Sequence, residues 1–219
     1  MFLTQAVFYV RLYLDLNDSH YFLISGTMGS GKSNLLKGIA LNFIKQPDAE
    51  ITVYDSDRLG LSSLKEIANN YISEAQPFDD YIESLMPMLK ERKEQYSQDK
   101  SISFSPHAII IDDLQCCLTN ADEATVTKLE AICRLGKGLN VNIFVAGQHD
   151  DIAKLNLGEI FTVGLVKNGI NILLGGKFNI HGGFDSSLSY SDKDVEVGEY
   201  EGYLLIQGNA TRFKAICVD

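Results

Sequence analysis

The stretch of sequence that decides the fold is Gly26-Thr27-Met28-Gly29-Ser30-Gly31-Lys32-Ser33. It fits the pattern G-x-x-x-x-G-K-[ST] at every fixed position. Residues 21–25, directly before it, form a short apolar run that predicts a buried strand. Residues 34–43, directly after it, carry apolar side chains at helical spacing. A strand, a glycine-rich loop and a helix in this order are the context in which the pattern binds phosphate.

The residue types of this phosphate loop (residues 26–33) explain the chemistry that we expect from it. Glycines allow backbone conformations that a Cβ would forbid, so successive N–H groups can point inward around a phosphate. The helix that follows adds the positive end of its dipole. We predict that Lys32 reaches the β- and γ-phosphates of ATP as a point charge, and that Ser33 offers its hydroxyl to Mg²⁺.

Composition limits the classes of protein that the chain can belong to. It has 219 residues, 45% of them hydrophobic, which suits one folded α/β domain over residues 1–219. The formal net charge is −10, and the basic run around Lys90, Arg92 and Lys93 is interleaved with Glu91 and Glu94. Proteins that track a DNA duplex usually carry a basic stripe. The charge therefore argues against nucleic acid as the direct partner.

Predicted strands and helices alternate along the chain. The strands are predicted at residues 8–16, 21–25, 50–55, 107–113, 141–147, 158–166 and 170–174. The helices are predicted at residues 34–43, 78–96 and 121–135, with Pro87 bending the second and Gly136 and Gly138 ending the third. Strands at 203–207 and 212–217 flank Gly208-Asn209 as a hairpin. The pattern predicts a mostly parallel sheet with helices on both faces and a C-terminal β-hairpin.

Two carboxylates end the predicted strand at 107–113. A nucleotide-hydrolysing site needs an acid for Mg²⁺ at the end of a strand that neighbours the phosphate loop. We predict that Asp112 holds the metal with Ser33, and that Asp113 orients or deprotonates the attacking water. Gln148 follows the next strand, and its carboxamide can donate to a γ-phosphate and accept from water. The structural alternative is that both aspartates merely end a strand and that Gln148 is a surface residue.

Other polar residues leave more than one role open. Asp55 and Asp57 follow the strand at 50–55, where they either face the site or form a turn. His149 and His181 have no partners at metal-ligand spacing, so loop or core positions are expected for them. The four cysteines contain no C-x-x-C pair, which argues against zinc and predicts buried free thiols: Cys116, Cys117, Cys133 and Cys217.

In this order, the elements resemble the motor domain of the FtsK/SpoIIIE-like P-loop ATPases. The resemblance covers the chain from about residue 8 to residue 219. The segments that carry it are residues 20–33, Tyr54-Asp55-Ser56-Asp57, Ile111-Asp112-Asp113, residues 134–141 and Ala146-Gly147-Gln148. It implies a RecA/FtsK-like P-loop NTPase fold, with ATP and Mg²⁺ as ligands.

The chain departs from this family at two positions near the site. Asp113 stands where the family has Glu, so its carboxylate is drawn back by more than about 1 Å, a misplacement that can cost two orders of magnitude in rate. His149-Asp150 replaces the usual Arg-Pro. Ring ATPases also complete the site with an arginine from a neighbouring subunit. None of the five arginines of this chain falls in a motif that assigns that role.

Within this family, the chain is most similar to the C-terminal ATPase domain of EssC-type coupling ATPases of type VII (b) secretion. The segment 175–184 and the terminal strands carry this second resemblance. It implies a fragment of a larger membrane-anchored protein, at the inner face of the bacterial cell membrane and hexameric when assembled. The implied partners are secreted helical-hairpin proteins of the WXG100 type and other secretion-system components.

Three functions stay open at this point. The first is an ATP-driven motor domain for protein secretion. The second is a degenerate nucleotide-binding module that serves as a substrate receptor without turnover, which Asp113 and the unassigned arginine favour. The third is a DNA translocase, which the net charge disfavours.

Overall fold

A computed structural model describes residues 19–56, 59–73, 77–119, 121–148, 169–179, 194–206 and 209–214. Within these residues the strands are β1 (Tyr21–Gly26), β2 (Glu50–Asp55), β3 (Asn70–Ser73), β4 (His107–Ile111), β5 (Val141–Gly147), β6 (Ile170–Asn179), β7 (Asp194–Ile206) and β8 (Asn209–Lys214). The helices are α1 (Lys32–Phe43), α2 (Phe78–Gln98), α3 (Leu114–Thr119) and α4 (Glu123–Leu139), with a 3-10 helix at Ser62–Glu66. The strands predicted at 8–16 and 158–166 lie outside the described residues.

The described strands form one sheet in the order β3-β2-β4-β5-β1-β6-β7-β8. The strands from β3 to β6 pair in parallel, whereas β7 pairs antiparallel with β6 and β8 pairs antiparallel with β7. The predicted mostly parallel sheet and its C-terminal hairpin are therefore confirmed. In this order the carboxyl ends of β4, β5 and β1 are neighbours, and such an edge is where ligands bind in open α/β sheets.

Two hydrophobic cores cover the two faces of the sheet. Successive residues of a strand point to opposite faces, and β1 follows this rule: Phe22 and Ile24 lie in one core, and Leu23 lies in the other. Helix α1 packs on the first face through Leu36 and Phe43, and α2, α3 and α4 pack on the second. Burial on both faces explains why the central strands are continuous apolar runs rather than alternating ones.

Helix α4 ends later than the sequence predicted. Gly136 and Gly138 lie inside it, and the helix ends at Leu139, where Asn140 takes the left-handed conformation with φ 53°. The reason for Gly136 is close packing, because a Cβ there would lie 2.6 Å from the carbonyl oxygen of Val141. Asp122 caps the start of the helix, since its carboxylate accepts the backbone N–H of Thr125 at 2.6 Å.

Other boundaries differ too: β6 and β7 are longer than the strands predicted at 170–174 and 203–207. Helix α2 is continuous through Pro87, and β4 ends at Ile111, so that both aspartates follow the strand. The edge strand β3, the short helix α3 and the 3-10 helix were not predicted.

Candidate nucleotide-binding site

The phosphate loop connects the end of β1 to the first residue of α1. Gly29 and Gly31 have φ values of 77° and 96°, a region that favours glycine over residues with a Cβ. The first turn of α1 contains no acidic residue, and Gly31 at its N-cap provides no side-chain acceptor. No acidic side chain of this first turn therefore competes with an anion for the positive end of the helix dipole.

Gly26 is required by close packing rather than by its φ value. A Cβ at this position would lie 2.1 Å from the carbonyl oxygen of Leu174 in β6 and 2.5 Å from Oγ of Ser30. Only a residue without a side chain fits where β1 passes so close to β6. The packing fixes the start of the phosphate loop against the sheet.

The Lys32 side chain lies within the phosphate loop. Its ammonium group donates to the carbonyl oxygens of Gly26 and Thr27, at 3.0 Å and 2.8 Å. Burial lowers the pKa of Lys32, and the nearby carboxylates of Asp112 and Asp113 oppose that shift. One cation thus stands close to both the loop and the two carboxylates that follow β4.

Ser33 and Asp112 are in direct contact, although 79 residues separate them in sequence. The Ser33 hydroxyl donates to Oδ2 of Asp112 at 2.7 Å, while Oδ1 accepts the backbone N–H of Asp113 at 3.1 Å. Asp112 is 8% exposed. A hydroxyl and a carboxylate are hard oxygen donors, and Mg²⁺ is usually held by one or two such protein groups together with phosphates and water. This pair therefore fits a Mg²⁺ site beside bound phosphates.

Asp113 has a structural partner in addition to its predicted catalytic role. It precedes α3, and its Oδ1 accepts the backbone N–H of Cys116 at 3.3 Å, as an N-cap does. Its φ is 50°, an uncommon conformation for a residue with a side chain, which often marks strained functional sites. Its position next to Asp112 agrees with both the predicted catalytic role and a helix-capping role.

Gln148 is exposed and directly follows β5. The last pairs of the neighbouring ladders are Ile111 with Val145 and Ser25 with Gly147. The backbone of Gln148 therefore lies at the edge between the end of β4 and the phosphate loop. Asp57, His149 and His181 lie outside the described residues.

Asp55 is a structural residue within the described part of the chain. It is fully buried, and its Oδ2 accepts the backbone N–H of Leu61 at 3.1 Å and the hydroxyl of Tyr71 at 2.5 Å. These bonds hold Leu61 and Tyr71 against the end of β2. They favour the turn-forming role over a direct role in the site.

Gly60 is a site residue that the sequence reasoning missed. A Cβ on Gly60 would lie 2.6 Å from Oδ2 of Asp112 and 3.1 Å from Oγ of Ser33. Gly60 thus lies against the Ser33–Asp112 pair. The glycine near the end of β2 was the only signal in the sequence, and it did not indicate which side chains it would meet.

The described arginines have varied surroundings. Arg92 is buried and donates to the carbonyl oxygens of Ser105 and Leu139, and Arg212 pairs with Glu201 at 2.8 Å. Arg134 is exposed on α4. Arg92 therefore has a structural role, while Arg11 and Arg58 lie outside the described residues.

The prediction of buried cysteines holds for two of the described three. Cys117 and Cys133 are buried, and burial raises the pKa of both thiols. It is wrong for Cys116, which is exposed because α3 is a short surface helix that turns only one of the two adjacent thiols inward.

Comparisons with known proteins agree with this fold. No protein-family model matches the chain. ESX secretion system protein YukB of Bacillus subtilis (strain 168) is 24% identical over 150 residues, which are 65% of this chain and 10% of YukB. The chain thus spans about a tenth of that relative.

Among solved structures, EssC (ATPases 2 and 3) from Geobacillus thermodenitrificans has a TM-score of 0.76 at 18% identity, over 94% of this chain and 38% of EssC. The cytoplasmic domain of the type VII secretion ATPase EccC from Thermomonospora curvata has a TM-score of 0.73 at 18% identity, over 95% of this chain and 25% of EccC. The pCW3 conjugation coupling protein TcpA, solved with ATPγS, has a TM-score of 0.67 at 18% identity, over 94% of this chain and 62% of TcpA.

The chain therefore has the fold of these ATPase domains. The resemblance to the FtsK/SpoIIIE-like ATPases, and to their EssC branch, is confirmed at the level of the fold. None of the helices in the described residues is long and apolar enough to cross a bilayer.

Proposed function

We propose that this chain is the ATP-binding coupling domain of a type VII protein secretion ATPase. The observation that carries the proposal is the contact of Ser33 with Asp112 at 2.7 Å, beside a glycine-rich loop that contains Lys32. A cation and a hydroxyl from the adjacent residues Lys32 and Ser33 thereby meet the carboxylate of Asp112, 79 residues further along the chain, at the edge of the sheet. The likeness to the EssC and EccC ATPase domains supports the assignment to secretion.

Each residue of the site has a proposed role. The loop amides from residue 26 to residue 33 bind the phosphates of ATP, and Lys32 exchanges its two carbonyl acceptors for phosphate oxygens. Ser33 and Asp112 hold Mg²⁺, which when bound neutralises charge on the phosphates. Asp113 orients or deprotonates the attacking water, and Gln148 contacts the γ-phosphate.

One observation favours the second candidate, a degenerate module that binds substrate and nucleotide without turnover. The carboxylate of Asp113 already accepts the N–H of Cys116. It is also one methylene shorter than the Glu that the resembling family has at this position. A water placed by this side chain would sit farther from an attacking geometry, which slows hydrolysis.

The wider role of the chain is also part of the proposal. Residues 1–219 form one domain of a longer membrane-anchored protein, at the cytoplasmic face of the membrane and hexameric when assembled. Its partners are helical-hairpin substrates of the WXG100 type and other secretion-system components. A DNA translocase is the remaining alternative, and the net charge of −10 argues against it.

The test compares wild type with Lys32→Ala and with the matched control Lys37→Ala, a half-buried lysine one turn further along the same helix. We expect saturable binding of ATP with Mg²⁺ to wild type and to Lys37→Ala, and at least a tenfold loss in Lys32→Ala, since a hydrogen bond to a charged group contributes about 1.5–3 kcal/mol. Equal affinities would contradict the site.

Turnover then separates the two candidates. Phosphate release by wild type above that of Lys32→Ala supports the motor, whereas binding with equal background rates supports the receptor. Salt-dependent binding of duplex DNA would support the translocase instead.

A further inference from the structure

Residues 59–61 form one side of the candidate metal site around Ser33 and Asp112. The three residues of this segment face three different surroundings. Leu59 is 77% exposed, Leu61 is fully buried in the core beneath α1, and Gly60 between them lies against Oδ2 of Asp112 and Oγ of Ser33. The segment is therefore fixed at one end and in contact with the candidate metal ligands in the middle.

Asp55 fixes the position of this segment. The carboxylate of Asp55 is fully buried at the end of β2, and its Oδ2 accepts the N–H of Leu61 and the hydroxyl of Tyr71. Both hydrogen bonds are made to one buried oxygen atom, so the carboxylate links Leu61 to Tyr71. Leu61, which donates one of these bonds, directly follows Gly60. A shift of the Asp55 carboxylate would therefore move Gly60 relative to Ser33 and Asp112.

We propose that Gly60 and Asp55 are positioning residues for the Mg²⁺ ligands, with Gly60 allowing the Asp112 carboxylate to meet Ser33 and Asp55 holding Gly60 in place. The inference rests on the proposed function, because it assigns the two residues to the same nucleotide–metal site. Neither residue contacts the nucleotide in this account. They act through Asp112 and Ser33, as residues behind metal ligands commonly do.

Glycine is needed at position 60 for its small size rather than for its backbone conformation. Its φ lies outside the left-handed region, so alanine introduces no backbone strain. The Cβ of alanine would lie 2.6 Å from Oδ2 of Asp112, well inside the 3.4 Å at which ordinary contact begins. Because Oδ2 is the terminal atom of a side chain rather than a backbone atom, we expect the carboxylate to rotate away from Ser33 and the fold to be kept. We therefore expect the substitution to weaken only the effect of Mg²⁺ on nucleotide affinity.

The test measures the affinity of a fluorescent ATP analogue in excess Mg²⁺ and in excess EDTA. The ratio of the two affinities is the metal-dependent gain. We compare wild type with Gly60→Ala and with Gly138→Ala, a matched control in α4 where a Cβ would meet no atom within 4 Å. We expect the metal-dependent gain of Gly60→Ala to be about tenfold smaller than that of wild type. Its affinity in EDTA and its thermal midpoint should remain those of wild type.

A second variant tests the role of Asp55 in this arrangement. Tyr71→Phe removes the hydroxyl that donates to Oδ2 and leaves the bond from Leu61, so we expect a loss of a few-fold in the same gain. A full gain in Gly60→Ala, or a Gly60→Ala protein that does not fold, would overturn the inference while leaving the proposed function intact. A wild type that binds no nucleotide at all would instead overturn the proposed function, and the inference with it.

Discussion

Replacing Gly26 by alanine tests whether packing between β1 and β6 fixes the phosphate loop. The new Cβ would lie 2.1 Å from the carbonyl oxygen of Leu174, a backbone atom that cannot rotate away. The two strands would have to separate by about 1.3 Å to reach the 3.4 Å of ordinary contact. Overpacking of this kind costs about 1–3 kcal/mol. We expect the thermal midpoint to fall by about 2–4 °C for each kcal/mol, so by about 2–12 °C in all.

The assay is thermal unfolding followed by circular dichroism, with Gly138→Ala as the matched control. Alanine at 138 meets no atom within 4 Å and lies inside a helix, where it is favoured over glycine by up to about 1 kcal/mol. Its midpoint should stay the same or rise. A Gly26→Ala midpoint equal to that of the control would refute the close approach of β1 to β6.

Three further predictions concern the cap of α4, the metal ligands and a buried histidine. Asp122→Ala removes the acceptor for the Thr125 N–H, so we expect the thermal midpoint to fall by about 2–4 °C, whereas Glu123→Ala, next to it, should leave it nearly unchanged. Ser33→Ala removes a proposed Mg²⁺ ligand, so we expect about a tenfold loss of metal-dependent nucleotide affinity in fluorescence titrations, and an unchanged affinity in EDTA. Burial lowers the pKa of His107, so below pH 6.5 the unfolded state binds the proton first and stability falls as the pH falls. Urea unfolding at pH 7 and pH 5 should show a smaller loss for His107→Gln than for wild type, and equal losses would contradict this assignment.

The central strands could be predicted because they are buried on both faces of the sheet. Residues of β4 and β5 are buried along their whole length, which requires continuous apolar runs that are easy to read. The edge strand β3 has only four residues, and one of them is buried, so it carries no comparable pattern. Helix α3 has six residues, too few for a helical period to appear.

Positions where two distant segments meet could not be predicted in the same way. In the sequence, Gly136 indicated the end of a helix. Its close approach to Val141, which explains the glycine, appears only in three dimensions. Ser33 lies in the first turn of α1, and Asp112 directly follows β4. Both could be predicted because the sequence pattern indicates these two elements. The contacts of Gly60 with Asp112 and of Asp55 with Leu61 could not be predicted, because they depend on the path of the chain between β2 and β3.

The most direct test of the central claim is to follow the backbone amides by nuclear magnetic resonance while ATP and Mg²⁺ are added. We expect the largest shifts at Gly29, Gly31 and Ser33, with a further change at Asp112, and a loss of these shifts in Lys32→Ala. Unchanged amides in the phosphate loop at millimolar ATP, or the largest shifts at the opposite edge of the sheet, would contradict it.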